Sequence, residues 1–395
     1  MIANEIECNV LIVGGGPAGL SVASHLADNI SSIIVHQDIK IGEPVRTSGG
    51  TFVSNMIDLG IPEELYQVID RLDFYSDNEQ ASFAVEADKL AVLDVTKLYR
   101  YLAELSDNKK RRLMLGAKFE AAKQLPDGRY RSTVRSRKEG KFTVISEYVI
   151  DASGWHCAAL ESLGLGKKPN RLGVGIEYEF PIGNFDPHRM ILFVGSTVLS
   201  GYGWVFPTPD HRIRLGVGIT SPDSKLNPRQ VMDNFIKEGH AERFGIVIPD
   251  DYKVNAGIIP SVIYEEKLVF GNAIRIGDSA NFATPAVGEG IRIAIKFGRL
   301  LGLELSNKIN GDEKALNRYQ EACTKEFKRN YNLGFLINKR ITQYSIKQWD
   351  QSVRRLSRLT ALEMTQMLRH QFDWKVVIRV IRFTLLAKIR GWLHL

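Results

Sequence analysis

Three glycine-marked stretches carry the residues whose types and spacing could do chemistry. The first, GGGPAG, sets Gly14, Gly16 and Gly19 in the GxGxxG template of a nucleotide-binding loop. Gly14 serves a tight turn, Gly16 lets the backbone approach a pyrophosphate, and Gly19 lets a helix pack closely on its strand. A helix starting near Pro17 and Ala18 then points its N-terminal N–H groups at the anion. In the second, RIGDSANFATPAVGEGIRI, a strand ends in Gly277 and Asp278, whose carboxylate can accept hydrogen bonds from a flavin ribityl chain. Gly288, Gly290 and Ile291 lead into another helix, whose N-terminus can stabilise the negative charge of a reduced isoalloxazine. A flavin needs that stabilisation and a nicotinamide does not. VIDASG, Val149–Gly154, is the third stretch.

The elements that must position these residues read as an α/β fold. NVLIVGGGPAGLSVASHLADNISSIIVHQD is buried strand, glycine turn, helix and second strand, one unit of a doubly wound parallel sheet. The second strand should close on an acid for the adenosine ribose, yet His36 stands there, with Gln37 and Asp38 following. Asp38 can reach only if its loop turns back. A helix is expected at Thr96–Leu105, a strand at Tyr148–Asp151, and a strand, turn and long helix from Leu268 to about Leu305. Between them GVGIEYEF, MILFVG, YGWVFP and RIRLGVGI alternate like strands of an antiparallel sheet. The expected organisation is therefore a discontinuous, Rossmann-like FAD-binding domain at 1–75, 96–165 and 266–310. A substrate-binding β-sheet domain is inserted at 76–95 and 166–265, and a basic helical C-terminal region occupies 311–395.

Composition narrows the class. At 395 residues, 44% hydrophobic and 25% charged, the chain is an ordinary folded protein of two or three packed units. Cys8, Cys157 and Cys323 form no CxxC, so no metal, cluster or disulfide framework is expected. With no basic leader ahead of Glu5 and Glu7, a cytoplasmic location is the expectation. The net charge of +7 is concentrated at the end: Tyr331–Leu395 holds twelve Lys and Arg against Asp350, Glu363 and Asp373. WKVVIRVIRFTLLAKIRGWLHL, Trp374–Leu395, combines this charge with apolar residues, the pattern of a helix lying in an anionic membrane surface or docked on the protein with its basic face wet. Nucleic acid is not expected, because no binding module accompanies the charge.

Together the three glycine stretches resemble the FAD-binding pattern shared by aromatic hydroxylases, lycopene cyclases, flavin halogenases and geranylgeranyl reductases. GYGWVFP, Gly201–Pro207, is similar to the YxWxFP signature of the geranylgeranyl reductase family. That resemblance implies that Tyr202, Trp204, Phe206 and Pro207 belong to a tunnel wall for an isoprenoid chain. Tyr202, Trp204 and Phe206, spaced by two, share one face of a strand. IGEPVRTSGG is similar to the family's loop near the flavin: Pro44 and Arg46 match, and Thr47 stands where many members carry Cys. Val95 stands where relatives often place a flavin-contacting Arg, and Thr208 where the aromatic motif continues with Lys. The implied reaction is hydride delivery from reduced FAD to an isolated alkene of a lipid, with a proton for the other carbon. With no second complete dinucleotide fingerprint the sequence leaves the electron donor open between transiently bound NAD(P)H, ferredoxin and another carrier, and Thr47, Ser48 and Tyr202 are reachable but unassigned as the proton donor. Flavin-dependent hydroxylation, redox-neutral cyclisation and a flavin-less lipid-binding relative remain alternatives.

Overall fold

Apolar strands buried on both faces, such as Val10–Val13 and Ile33–Val35, specify a parallel sheet enclosed by helices. The computed structural model, which describes residues 5–371, contains that sheet. Its order runs Val269–Phe270, Ala273–Arg275, Gly140–Asp151, Glu5–Val13, Ser32–His36, Arg111–Leu115. The four pairings from Ala273–Arg275 to Arg111–Leu115 are parallel. Glu5 and Glu7 lie within the first strand rather than ahead of it. In chain order the helices are α1 (Pro17–Ser24), α2 (Val53–Asp58), α3 (Val95–Leu105), α4 (Ala158–Ser162), α5 (Pro228–Lys237), α6 (Ile291–Ile309), α7 (Ala315–Ile341), α8 (Ile346–Leu356) and α9 (Ala361–Leu368).

A second sheet of seven strands stands apart from the first. Its order is Lys253–Pro260, Leu172–Pro181, Arg212–Ser221, Val198–Thr208, Arg189–Gly195, Arg71–Tyr75, Gln80–Ala84. All neighbours are antiparallel except Arg189–Gly195 with Arg71–Tyr75. Arg71–Tyr75 therefore belongs to this sheet, so the inserted layer begins before residue 76. One face packs on α5 through Phe193, Met232 and Phe235; the other packs on Phe52, Trp349, Val353 and Met364.

The described part of the expected separate region 311–395, up to residue 371, is divided between two cores. Leu316, Tyr319, Cys323, Phe327 and Tyr331 of α7 join the core built around Val10, Ile12 and Ile150. Trp349, Val353, Leu359 and Met364, from α8, α9 and their connection, join the core under the second sheet. At roughly 1.5–3 kcal/mol for each large buried side chain, packing holds this cap. Its exposed Arg354–Glu79 ion pair contributes about 0–1 kcal/mol. The cationic segment Trp374–Leu395 lies outside the described residues, and no helix among the described residues is long and apolar enough to cross a membrane.

Candidate flavin and substrate site

The glycine loop has the geometry its spacing requires. Gly14 has φ +119°, and a Cβ there would lie 2.1 Å from Ala152 O. A Cβ on Gly19 would lie 2.0 Å from Gly14 O, whereas one on Gly16 would meet nothing within 4 Å. The first two glycines are closed by protein and the third faces open space, as close approach of a ligand demands. α1 begins at Pro17 with no side-chain cap and no acid in its first turn. The Ala18 side chain is buried, and a Cβ on Gly277 would meet it at 2.9 Å, so only the Ala18 backbone can serve a ligand. That packing also brings the Gly277–Asp278 turn to the start of α1.

Asp278 is enclosed, and burial pushes its carboxyl up to about 6. Gly290, the N-cap of α6, would place a Cβ 3.4 Å from Asp278 Oδ1. Like α1, α6 has no side-chain cap and no acid in its first turn. Ile291 turns its side chain into the core, leaving its backbone at the helix N-terminus. Gly288, at φ +75°, adopts the left-handed region that the preceding loop needs. These groups fit FAD: the uncapped start of α1 with open Gly16 suits a pyrophosphate, the uncapped start of α6 an isoalloxazine, and the half-buried Asp278 carboxyl a ribityl chain. VIDASG is structural: Asp151 is fully buried and accepts from Ser153 N, Ser153 Oγ and Leu160 N.

On the second sheet Tyr202, Trp204 and Phe206 do share one face, with ring centroids 5.7 Å and 6.2 Å apart. Glycines on neighbouring strands give the indole its place. A Cβ on Gly216 would come within 2.4 Å of the Trp204 ring, and those on Gly175 and Gly218 within 3.2 Å. Tyr202, Gly173, Gly175, Gly218, Gly257 and Ile259 are half-buried, so this face is only partly covered beside the aromatic row. Pro207 does not join this wall. An odd step along the strand turns it to the opposite face, paired with buried Ile213. Thr208 is buried and closes its hairpin, its hydroxyl 2.6 Å from Asp210 Oδ1 and 3.2 Å from Arg212 O.

One hydrogen bond ties the wall to the loop ahead of α6, and another ties the strand Gly50–Phe52 to it. Tyr202 donates to Val287 O over 2.6 Å, beside Gly288, and burial pushes its phenol up to about 12. Thr51 donates to Glu289 Oε1 over 2.8 Å. Burial alone would raise the Glu289 carboxyl, but the two-pronged Arg292 pair at 2.8 Å and 2.7 Å outweighs it and lowers it. The loop from Pro44 to Gly50 crosses between the two layers. Gly257 leaves room for Arg46 O, a Cβ on Gly50 would lie 3.0 Å from Phe206, and Arg214 donates to Ser48 O. Thr47 is half-exposed in this loop, and Val95 packs buried beneath Gly49.

Sequence reasoning missed Glu289 and a buried polar group beneath the wall. Trp204 Nε1 donates to Glu177 at 3.1 Å; Arg214 donates to Glu179 at 3.0 Å and lies 3.7 Å from Glu177. Asn255 donates to both carboxylates, at 3.2 Å and 3.0 Å. Burial would raise the Glu179 carboxyl, but Arg214 outweighs it and holds it low. The two alternating acids of GVGIEYEF were the available signal, because i and i+2 share a face.

A glycine loop meeting a GD turn and an uncapped helix, over a sheet of aromatics, defines a flavoprotein. Residues 7–332 match the FAD binding domain family, and the chain belongs to it. It is similar to digeranylgeranylglycerophospholipid reductase 2 of Methanothermobacter thermautotrophicus, 24% identical over 95% of this chain and 99% of that one. Digeranylgeranylglycerophospholipid reductase 1 of Methanopyrus kandleri is 25% identical over 87% of this chain and 93% of the other. Among solved structures, a geranylgeranyl bacteriochlorophyll reductase-like protein from Thermoplasma acidophilum shares the fold with a TM-score of 0.82, at 18% identity over 96% of each chain. A p-nitrophenol 4-monooxygenase from Pseudomonas putida also shares it, with a TM-score of 0.72 at 15% identity over 93% and 98%. This protein is an FAD-dependent oxidoreductase of the FAD binding domain family, similar to reductases named for geranylgeranylated lipids.

Proposed function

We propose that the chain reduces carbon–carbon double bonds of a polyprenyl lipid of geranylgeranyl type. The observation that carries this reading is the partly covered aromatic face of Tyr202, Trp204 and Phe206, flanked by glycines on neighbouring strands and fastened by Tyr202 to Val287 O beside Gly288. Relatives named as reductases of digeranylgeranylglycerophospholipids support it. Bound FAD in its reduced form would supply the hydride. Gly14, Gly16, Pro17, Ala18 and Gly19 would hold the pyrophosphate through backbone groups, with Arg46 beside them. Gly277 and Asp278 would hold the ribityl chain, and Gly288, Gly290 and Ile291 the isoalloxazine. The isolated alkene has no carbonyl to polarise, so apolar walls that orient the chain and exclude water carry much of the effect. Thr47 and the three aromatics would line that space.

Meeting such a substrate at an anionic membrane is part of the same proposal. Exposed Leu336, Ile346 and Leu362 on α7, α8 and α9 accompany Lys339, Arg340 and Lys347, a mixed apolar and cationic surface. Anaerobic photoreduction followed by rapid mixing with a polyprenyl lipid tests the reaction. Flavin reoxidation with a two-hydrogen mass gain in the lipid is expected; reoxidation by oxygen alone would move the assignment to a monooxygenase. Co-sedimentation with anionic vesicles, lost on deleting the segment after Trp374, tests the membrane role.

A further inference from the structure

The strand that should end in a ribose-holding acid ends in His36, and the side chains around it form a connected series over the glycine loop. Gly15 N–H donates to His36 Nδ1 over 3.2 Å. In a neutral ring that bond leaves the proton on Nε2, which lies 3.5 Å from Asp38 Oδ2. Arg46 grips the same carboxylate with two prongs, Nη1 to Oδ2 at 2.6 Å and Nη2 to Oδ1 at 3.1 Å. A Cβ on Gly15 would lie 3.0 Å from His36 Cγ, so the imidazole is seated on the loop that a dinucleotide must cross. Asp38 O accepts from Gly116 N at 2.8 Å, which pins the chain just past the strand end. The side chains of His36 and Asp38 are 15% and 17% exposed, enclosed yet reachable.

A ribose diol brings two donors and needs an acceptor. His36 has none to offer, because Gly15 uses its lone-pair nitrogen. Gln37 is exposed. A carboxylate has about four acceptor positions. Arg46 uses one on each Asp38 oxygen and His36 Nε2 faces Oδ2, so Oδ1 keeps the clearest acceptor position.

We propose that Asp38 is the group that accepts the adenosine ribose hydroxyls of FAD in this chain, with His36 and Arg46 as positioning residues. The acid has moved two residues beyond its usual place, and the imidazole seated on Gly15 fills the gap. The Asp38–Arg46 pair then keeps an acceptor for the sugar and a cation for the diphosphate side by side, each neutralised by the other before the cofactor arrives.

The test uses the full-length, deflavinated protein and quenching of flavin fluorescence on binding. Three probes are compared: FAD, an FAD whose adenosine lacks the 2′-hydroxyl, and FMN, which lacks the adenosine half. The wild type should prefer FAD over the deoxy analogue by on the order of ten-fold, the value of a hydrogen bond to a charged group. Asp38→Asn should lose most of that preference and leave FMN affinity unchanged. Arg46→Gln should weaken FAD binding and keep the preference. Should Asp38→Asn not fold, Asp38→Glu retains the charge opposite Arg46 while displacing the carboxylate, and should likewise shrink the preference. An undiminished preference in the folded Asp38 variant, its absence in the wild type, or equal losses for FAD and FMN would each overturn the assignment.

Discussion

The two halves of the site treat buried polarity in opposite ways. Beneath the aromatic wall, Glu177, Glu179, Arg214 and Asn255 bond one another across three neighbouring strands, with Asn255 Oδ1 left without a partner among the described residues. In the nucleotide layer polar groups are left waiting: α1 and α6 start without a side-chain cap, and Asp278 is enclosed with its carboxyl raised to about 6. Elsewhere helix starts draw on their neighbours: α2 and α7 also lack a side-chain cap, but Val53 N and Ala315 N donate to Lys89 O and Asp312 O. Asp94, Asn227, Ser345 and Thr360 cap α3, α5, α8 and α9, and Ser153 and Asp151 serve α4. Orphan N–H groups at a helix start cost free energy unless something binds them. Unsatisfied groups therefore mark the ligand, and satisfied ones mark the scaffold that shapes its surroundings.

The largest effect should come from breaking the satisfied half. Arg214→Met leaves Glu177 and Glu179 buried around Asn255 without their central cation, and removal of one partner from such a group costs about 3–5 kcal/mol. Urea unfolding should show that loss, while the folded fraction still takes up FAD. A variant with near wild-type stability would mean that water reaches the pair and that the network is not dry.

Filling the waiting half should do the reverse. Gly290→Asp offers α6 the acidic N-cap it lacks, which in an ordinary helix contributes about 1 kcal/mol. The apoprotein should hold or gain thermal stability. FAD affinity should fall at least about ten-fold, because the new side chain takes the helix end left open for the isoalloxazine, and the flavin midpoint potential should drop, because a carboxylate and the reduced, anionic ring 4 Å apart repel by about 1–4 kcal/mol over the plausible dielectric range. Stability lost together with affinity would place Gly290 in the scaffold. Asp278 supplies a gentler probe of the same half. Ribityl hydroxyls donate to its ionised form, so its carboxyl should titrate lower in the complex than in the free protein. Binding then releases a proton near pH 6. FAD affinity should be flat above that pH and fall as pH drops below it, by at most about ten-fold per unit. Asp278→Asn should remove the slope.

What the sequence discloses follows from the range of the constraint. Gly14, Gly19 and the Gly277–Asp278 turn were legible because each answers to a local contact. The common face of Tyr202, Trp204 and Phe206 followed from strand period alone. The same period should have excluded Pro207, which the resemblance carried into the wall as part of a motif. Arg71–Tyr75 was set in the wrong layer because its partner, Arg189–Gly195, lies far along the chain and pairs with it in parallel. Amphipathic α7 disclosed that it has a buried face but not which core receives it. The Glu177–Arg214–Asn255 group depends on the register of three strands, which no single segment encodes. Glu289 and Arg292, spaced i,i+3 at a helix start, were legible in principle as a charge pair.

The smallest effect separates ordinary caps from waiting ones. Thr360 accepts from Glu363 N at 3.2 Å, and the Glu363 carboxylate returns to Thr360 N at 2.9 Å, a reciprocal box that starts α9 over the aromatic core. Thr360→Ala removes one half of it and should cost about 1 kcal/mol in denaturant unfolding. Because α9 covers Trp204 and Phe206 rather than the glycine loop, flavin affinity should stay within about two-fold, well below the 1.4 kcal/mol that a ten-fold change represents. If affinity fell in step with stability, the cap and the cofactor layer would form one cooperative unit. The division between satisfied and waiting groups would then describe the packing of a single body instead of two separable roles.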